Sequence, residues 1–425
     1  MGKRAARARG STRAERAVTR LLLFTNDYPY RSGDAVFVEK EIAQLAARFD
    51  DVVIFCHARD TSAGLAELPA NVHLGGNLFE PAPEDSPRLL LAPAALGLLV
   101  RAAVREAWRG RLWRHPKLFL MGAKVGLTQA HRRAVREAIA GDPDTVAYGF
   151  WGMGGGLAVP WLRGVRARVV RVHRYDLYEE EAIGGYLPFR PFLFARADRV
   201  LAISRHAEAY LARYPETRGK VTLSRLGAYG PAAPPEHTGR AVPTVVSCSA
   251  VSEVKRVESI LAAVSALAET RPLRWVHFGD GPLMPALRAA AEYAPAGLQV
   301  ELRGQTPNAE ITAFYARGEA DAFVNLSASE GVPVSIMEAV AWNVPVLATE
   351  VGGTPEIVGA ALGTGELVAP GAGTAEVARA LGEMLGAPAG HYAPHALWAE
   401  RFDAERTGAA AAELVRAAAT GTVKA

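Results

Sequence analysis

Cysteine is nearly missing: Cys56 and Cys248 are the only two in 425 residues, and each closes an apolar run. They belong to separate strand-like segments, so a disulfide is not expected and a reducing cytoplasm suits the chain. Long hydrophobic runs are missing too. The longest apolar stretch, 89–100, is interrupted by Pro93 and Gly97 and falls short of a membrane span. The run 21–24 is too short for the apolar part of a secretory signal and reads as a first strand. Neither sign of charge dominates, with 48 Lys+Arg against 44 Asp+Glu. No paired aromatic and basic base-reading motif is present, so nucleic acid is not an expected partner. What remains is a globular composition, 50% hydrophobic and 22% charged, in a chain long enough for two domains. A soluble or peripheral protein is expected.

The charge is small but uneven. Lys3, Arg4, Arg7, Arg9, Arg13, Arg16 and Arg20 face Glu15 alone, which predicts a disordered basic arm over 1–19. A second basic region runs from Arg101 through Arg105, Arg109, Arg111, Arg114, Lys117, Lys124, Arg132 and Arg133 to Arg136. Trp108, Trp113, Leu118, Phe119 and Leu120 are interleaved with it. Such a mixture suits helices lying on an anionic membrane surface, and equally a solvated face with its apolar residues turned inward.

Strand-like runs at 21–25, 52–56, 146–150, 168–172, 200–204 and 221–224 alternate with helical segments. One helix is marked by Ala35, Val38, Ile42, Leu45 and Ala46 at helical spacing. The Pro-rich stretch from Gly230 to Pro243 reads as a linker. Beyond it the rhythm restarts at 245–247, 275–278, 300–302, 322–326, 346–349 and, weakly, 367–368. The fold class is therefore α/β, with two mostly parallel sheets over 20–235 and 243–395 and a cleft between them. The segment 392–419 reads as helical.

The segment from Asn325 to Ala339 carries the chemistry. Glu330-Gly331-Val332-Pro333 reads as a turn after a buried strand, and Val334, Ser335 and Ile336 open the next helix. Loops and helix starts at the carboxyl ends of parallel strands bind phosphate-bearing ligands. Glu338 lies among Ile336, Met337, Ala339 and Val340, so its carboxylate needs a polar partner, and ligand hydroxyls would serve. On the residues alone, Glu330 could instead favour the helix dipole and Glu338 could be solvated.

This segment, followed by Pro345-Val346-Leu347-Ala348-Thr349-Glu350-Val351-Gly352-Gly353-Thr354-Pro355-Glu356, closely resembles the retaining glycosyltransferases of family 4. The resemblance implies a GT-B fold: two Rossmann-like doubly wound domains facing a central cleft. A terminal helix over 396–425 would cross back to the first, acceptor-binding domain. It implies that Glu330 contacts the donor sugar and Glu338 the ribose hydroxyls of a nucleotide-sugar, most simply a UDP-sugar. Ser32-Gly33-Asp34 resembles the loop opening the acceptor domain, where Gly33 would let backbone approach a ligand. His173-Arg174-Tyr175-Asp176 resembles the family's His-x-x-Asp loop, although a lone histidine at a strand end is by itself more often structural. His173 would stand near the transferred sugar and Asp176 would be available to an acceptor hydroxyl.

Ser249-Ala250-Val251-Ser252-Glu253-Val254-Lys255-Arg256 resembles the phosphate loop of the second domain, with Lys255 as a point charge for the diphosphate. The family's usual arginine is replaced by Ala250, and Arg256 is the candidate to supply the missing charge. Gly279 and Gly281 would give tight backbone beside the nucleotide, and the loop from Gly304 to Asn308 would read its base. Asn343 replaces the usual glycine after the Glu338 helix, and asparagine tolerates the left-handed conformation needed there.

Asp142-Pro143-Asp144 precedes a strand instead of following one, so it reads as a turn and no bound metal is expected. The resemblance thus implies a metal-independent transferase without a cofactor of its own. It would move a hexose or N-acetylhexosamine to a hydroxyl acceptor, such as a lipid-linked saccharide at the inner face of a membrane. A soluble small-molecule acceptor and a sugar-nucleotide epimerase of the same fold are the alternatives.

Overall fold

The computed structural model describes residues 20–82, 85, 93–142, 144–235 and 240–420. The expected basic arm 1–19 lies outside these residues. In the first domain, β1 (Arg20–Phe24), β2 (Asp51–Cys56), β3 (Val72–Asn77), β4 (Val146–Gly149), β5 (Ala167–Val172), β6 (Arg199–Ala202) and β7 (Val221–Leu223) form one parallel sheet of order β3-β2-β1-β4-β5-β6-β7. Its helices are α1 (Ala35–Ala46), α2 (Pro93–Trp108), α3 (Arg111–Arg114), α4 (Pro116–His131), α5 (Arg133–Ala140), α6 (Arg190–Arg196) and α7 (Arg205–Leu211).

The second domain holds β8 (Thr244–Cys248), β9 (Leu273–Phe278), β10 (Leu298–Leu302), β11 (Ala322–Asn325), β12 (Val346–Thr349) and β13 (Gly365–Val368), in the order β10-β9-β8-β11-β12-β13. Around them lie α8 (Val257–Ala268), α9 (Met284–Ala291), α10 (Asn308–Ala316), α11 (Val334–Ala341), α12 (Thr374–Leu385), α13 (Pro394–Arg401) and α14 (Ala404–Thr420).

Continuous apolar strands explain both sheets. Leu22 and Phe24 face one core layer and Leu21 and Leu23 the other, so β1 is buried on both sides and needs helices on both. The chain order reverses between β1 and β4, and again between β8 and β11. Crevices at the carboxyl ends of strands flanking such reversals are the ligand sites of doubly wound sheets. Cys56 and Cys248 stand on separate sheets, and both thiols are free.

Two features depart from the sequence reading. Edge strand β3 has no apolar run to betray it. A Cβ on its Gly75 would lie 2.5 Å from Cγ1 of Val53, so β2 side chains fill the glycine's place. The terminal helix is also broken in two. α13 stays on the second domain, where Leu397, Trp398 and Phe402 join its core. Only α14 returns, laying Ala412, Val415 and Ala419 against the first domain. The crossing therefore follows Phe402, not residue 396, because the backbone of Ala228 bonds both Phe402 (2.9 Å) and Ala404 (3.1 Å) there.

Within the basic helical region, Phe119 is buried against Phe189, while Trp108, Trp113 and Leu120 are exposed. Arg109, Arg111 and Arg132 pair with Glu216, Glu179 and Asp85. Among the described residues, no helix is long and apolar enough to cross a membrane.

A buried ion pair fixes α1 to the sheet. Arg171 on β5 bonds Glu41 of α1 and donates to Oγ of Ser224 at 2.6 Å. Burial pushes the Glu41 carboxyl up, and Arg171 opposes that shift. Removing one partner of such a pair strands the other charge in the core. Glu41→Ala is expected to cost about 3–5 kcal/mol of unfolding free energy, read from the urea midpoint at constant slope. A loss below about 1 kcal/mol would contradict this role.

Candidate active site

Between β11 and α11 the chain turns through Leu326 to Pro333, and the first bond inside α11 runs from the amide of Ile336 to the carbonyl of Pro333 at 3.2 Å. Val334 and Ser335 thus stand at an open helix start, the positive end of its dipole. Glu330, only 6% exposed, has Oε1 2.6 Å from Nζ of Lys255 and accepts from Nδ2 of Asn325 at 3.3 Å. Lys255 arrives on the loop after β8, which is tied to the Glu330 loop by the amide of Ala328 on the carbonyl of Val254 (2.8 Å). The two sides of the second switch point therefore meet at a lysine–glutamate pair.

Glycines hold that loop from behind. A Cβ on Gly352 (φ +53°) would lie 1.8 Å from the carbonyl oxygen of Glu330. The amide of Gly353 donates to the carbonyl of Gly331 at 2.8 Å. Any side chain at Gly352 would therefore push Glu330 out of place. Val332 and Pro333 are buried beneath the turn.

Glu338 accepts from Nδ2 of Asn308 at 3.0 Å and lies 3.6 Å from Nζ of Lys40. Its polar partners thus come from both domains: Asn308 opens α10 and Lys40 sits on α1. α11 ends with Asn343 at φ +60°, its amide bonding Val340 and that of Val344 bonding Ala339, a paired C-terminal cap.

The second-domain loops are held together by backbone contacts. The Arg256 guanidinium donates to backbone carbonyls of Leu326 (2.6 Å), Pro370 (2.8 Å) and Ser327 (3.2 Å), so it also braces the loop. The close neighbours of Gly279 and Gly281 are protein backbone: a Cβ there would lie 1.9 Å from the carbonyl oxygen of Ser249 and 2.5 Å from that of Val251. Gly304 (φ +69°) accepts from the amide of Gly279 at 2.9 Å and completes this packing.

In the first domain, His173 leaves β5 directly toward the cleft. Its ring stacks on Trp151 at 3.8 Å between centroids and on Phe150 at 5.5 Å, and neither ring nitrogen has a hydrogen-bond partner. Burial lowers its pKa, Asp176 opposing, so the imidazole is neutral.

Asp176 itself is not free to meet an acceptor. It is fully buried, its Oδ1 accepting from the amide of His173 and its Oδ2 from that of Gly152, both at 2.6 Å. Buried Arg190 backs it by donating to the carbonyl oxygens of Asp176 and Gly152. Asp176 is a positioning residue. Gly33 (φ +50°) is exposed and packs tightly on Asp27, since a Cβ on it would lie 2.0 Å from Oδ2 of that residue.

Sequence reasoning missed the residues that organise this half. The Asp34 carboxylate accepts from the amides of Asn26 (2.9 Å), Asp27 (2.8 Å) and Tyr28 (2.7 Å), and from Nε1 of Trp151 (2.7 Å). It therefore shapes the loop after β1 and orients the indole that carries His173. A visible signal was the run Gly152-Met153-Gly154-Gly155-Gly156 after an apolar strand. A Cβ on Gly155 would lie 2.3 Å from the carbonyl oxygen of Thr25.

The halves touch beside the site. Arg174 donates to Oγ of Ser329 at 3.0 Å and backs Gly331, while Glu181 binds both Arg174 and Ser329. Away from the cleft, Asp144 pairs with Arg166 at 2.8 Å and accepts no place among the site residues. Among the described residues, no group of three or more His, Cys, Asp or Glu is placed to hold a metal ion.

Residues 242–387 match the family model Glycosyl transferases group 1. The match lies within the second domain. The chain is 30% identical over 214 residues to WcaL, a glycosyltransferase assigned to colanic acid biosynthesis in Escherichia coli (strain K12), covering 46% of this chain and 50% of that protein. It thus spans about half the length of the curated relatives it matches.

Solved structures match almost end to end. Sucrose-phosphate synthase from Thermosynechococcus elongatus superposes with a TM-score of 0.66 at 17% identity, over 94% of this chain and 98% of that one. Anabaena HepE in complex with UDP and glucose gives 0.62 at 15%, over 93% and 99%. Two parallel sheets facing each other and these neighbours establish the GT-B fold.

Proposed function

We propose that the chain is a retaining, metal-independent glycosyltransferase. It moves a hexose or N-acetylhexosamine from a UDP-sugar to a saccharide hydroxyl in cell-surface polysaccharide or glycolipid assembly. The observation that carries this reading is the Lys255–Glu330 pair at one switch point and buried His173 at the other, on loops joined by Arg174 and Ser329. The names of WcaL and of HepE with UDP and glucose support the pathway class and the donor. Retention rests on the family resemblance.

In this reaction the C1–O bond to the diphosphate breaks and a bond from C1 to the acceptor oxygen forms on the same face. The departing phosphate oxygen takes the acceptor's proton. Lys255 and the start of α11 neutralise the diphosphate, Glu338 holds the ribose hydroxyls, and Glu330 and neutral His173 hold hydroxyls of the transferred sugar.

The acceptor is read as lipid-linked. On α2, Leu96, Val100, Val104 and Trp108 follow each other at four-residue spacing, with 44, 52, 48 and 89% of each exposed. Trp113, Leu120 and Met121 continue the patch, and Arg101, Arg114 and Lys117 flank it. Such a face suits an anionic inner leaflet, each basic side chain adding about 1 kcal/mol near the surface.

Glu338→Ala is expected to weaken UDP binding by about tenfold or more, because ribose hydrogen bonds persist throughout the reaction. Glu330→Ala is expected mainly to lower kcat. Titration calorimetry decides: unchanged UDP affinity in Glu338→Ala removes that residue from the donor site. Turnover is expected to survive EDTA, and activity abolished by EDTA and restored by Mg²⁺ or Mn²⁺ would contradict metal independence. Flotation with anionic vesicles at low salt is expected to carry the protein upward, and Trp108→Ser with Trp113→Ser to reduce this severalfold. Absence of wild-type binding would favour a soluble acceptor.

A further inference from the structure

The proposed donor chemistry leaves one conspicuous side chain without a task. Tyr175 is 43% exposed although it lies between buried His173 and Asp176. Its ring stands 5.0 Å from that of Trp151 at an interplanar angle of 32°, and Trp151 in turn stacks on His173. Its hydroxyl bonds Nδ2 of Asn26. Arg190, Asp176 and Asp34 also fix the loops around it.

We infer that Tyr175 is the floor of an acceptor subsite that binds a pyranose ring. This rests on the glycosyltransferase reading and adds the chemical class of the group that docks beside His173. A pyranose presents a face of C–H groups, which packs on an aromatic ring, and a rim of hydroxyls, which needs planar polar partners. Tyr175 supplies the first. Asn26 and Asp27, on the loop after β1, supply the second. Their backbone is fixed by Asp34, and the Asp27 carboxyl is pushed up by burial and by neighbouring Asp34.

The placement follows from topology. Loops after β1, β4 and β5 converge at the switch point of the first sheet, where a ligand enters such a domain. A sugar seated on Tyr175 stands one residue along the chain from Arg174, which touches Ser329 next to Glu330. The glycines at 154–156 let the β4 loop pass close beneath Asn26: a Cβ on Gly154 would lie 1.9 Å from Oδ1 of Asn26.

Saturation-transfer NMR tests this with methyl glycosides of galactose, glucose, fucose and N-acetylglucosamine, and with lactose, each with and without UDP. At least one sugar is expected to receive saturation from the wild-type protein. Tyr175→Phe keeps the ring and is expected to retain the signal. Tyr175→Ala is expected to weaken binding by about tenfold, the scale of one aromatic contact with its buried area. UDP affinity by calorimetry is expected to be the same in all three proteins, which shows that each is folded. No saturation of any sugar by the wild type, or equal binding by Tyr175→Ala, overturns the subsite. Failure of the wild type to bind UDP would sink the donor assignment instead, with the sugar signals still deciding the subsite.

Discussion

Parallel strands that end inside a protein leave amides and carbonyls with no ladder to join, and the site depends on how these are satisfied. In the first domain two aspartates collect them. Asp34 takes three successive amides and the Trp151 indole, and Asp176 takes the amides of Gly152 and His173. Each charge-assisted bond contributes about 1.5–3 kcal/mol, more than a neutral one, so the loops are held far more firmly than exposed turns. His173 inherits its position from both. Asp176 fixes its backbone and Asp34, through Trp151, fixes the surface on which its ring lies.

The second domain solves the same problem with glycine. Where carboxylates bridge loops in the first domain, close backbone packing does so here. Gly352 and Gly353 lie against Glu330 and Gly331, and Gly279 and Gly281 against the loop from Ser249 to Val251. The two carboxylates that do face the cleft, Glu330 and Glu338, are consequently not consumed by backbone amides; each accepts from one asparagine side chain. Each is matched by a lysine instead, Lys255 and Lys40. A lysine can be surrendered to an incoming phosphate without unravelling a loop, whereas a buried amide cannot. That difference separates the glutamates at 330 and 338 from the aspartates at 34 and 176.

Much of the fold was legible because its signals are local. Apolar runs gave most of the strands, and Glu330 and Glu338 share one short segment. What escaped depends on distant partners. Asp34 and Trp151 are 117 residues apart, and nothing near either predicts the other. Arg190 acts on a loop far up the chain. β3 is an edge strand with two glycines, legible only once Val53 and Phe55 are seen filling the space above it. Asp176 carried the right charge in the expected loop, but sequence does not show whether backbone has already claimed a side chain's atoms.

The same distinction governs how the domains are joined. The polar contacts across the cleft are partly exposed: Lys40 with Glu338, Arg174 with Ser329, and Glu356 with the amide of Arg205 at 2.6 Å, beside apolar packing of Ile203 and Phe37 on the second-domain core. Partly exposed ion pairs of this kind contribute about 0–1 kcal/mol each, because water competes for both ends. The crossing at Ala228 is different. Phe402 is fully buried, Trp398 nearly so, and the indole donates to the Ala228 carbonyl at 2.9 Å. Removing either aromatic side chain would cost about 3–5 kcal/mol. The polar contacts at Lys40 and Arg174 are thus the weaker part of the seam and the Ala228–Phe402 crossing the stronger. The site sits on the weak seam, where a phosphate and a sugar can replace what they displace.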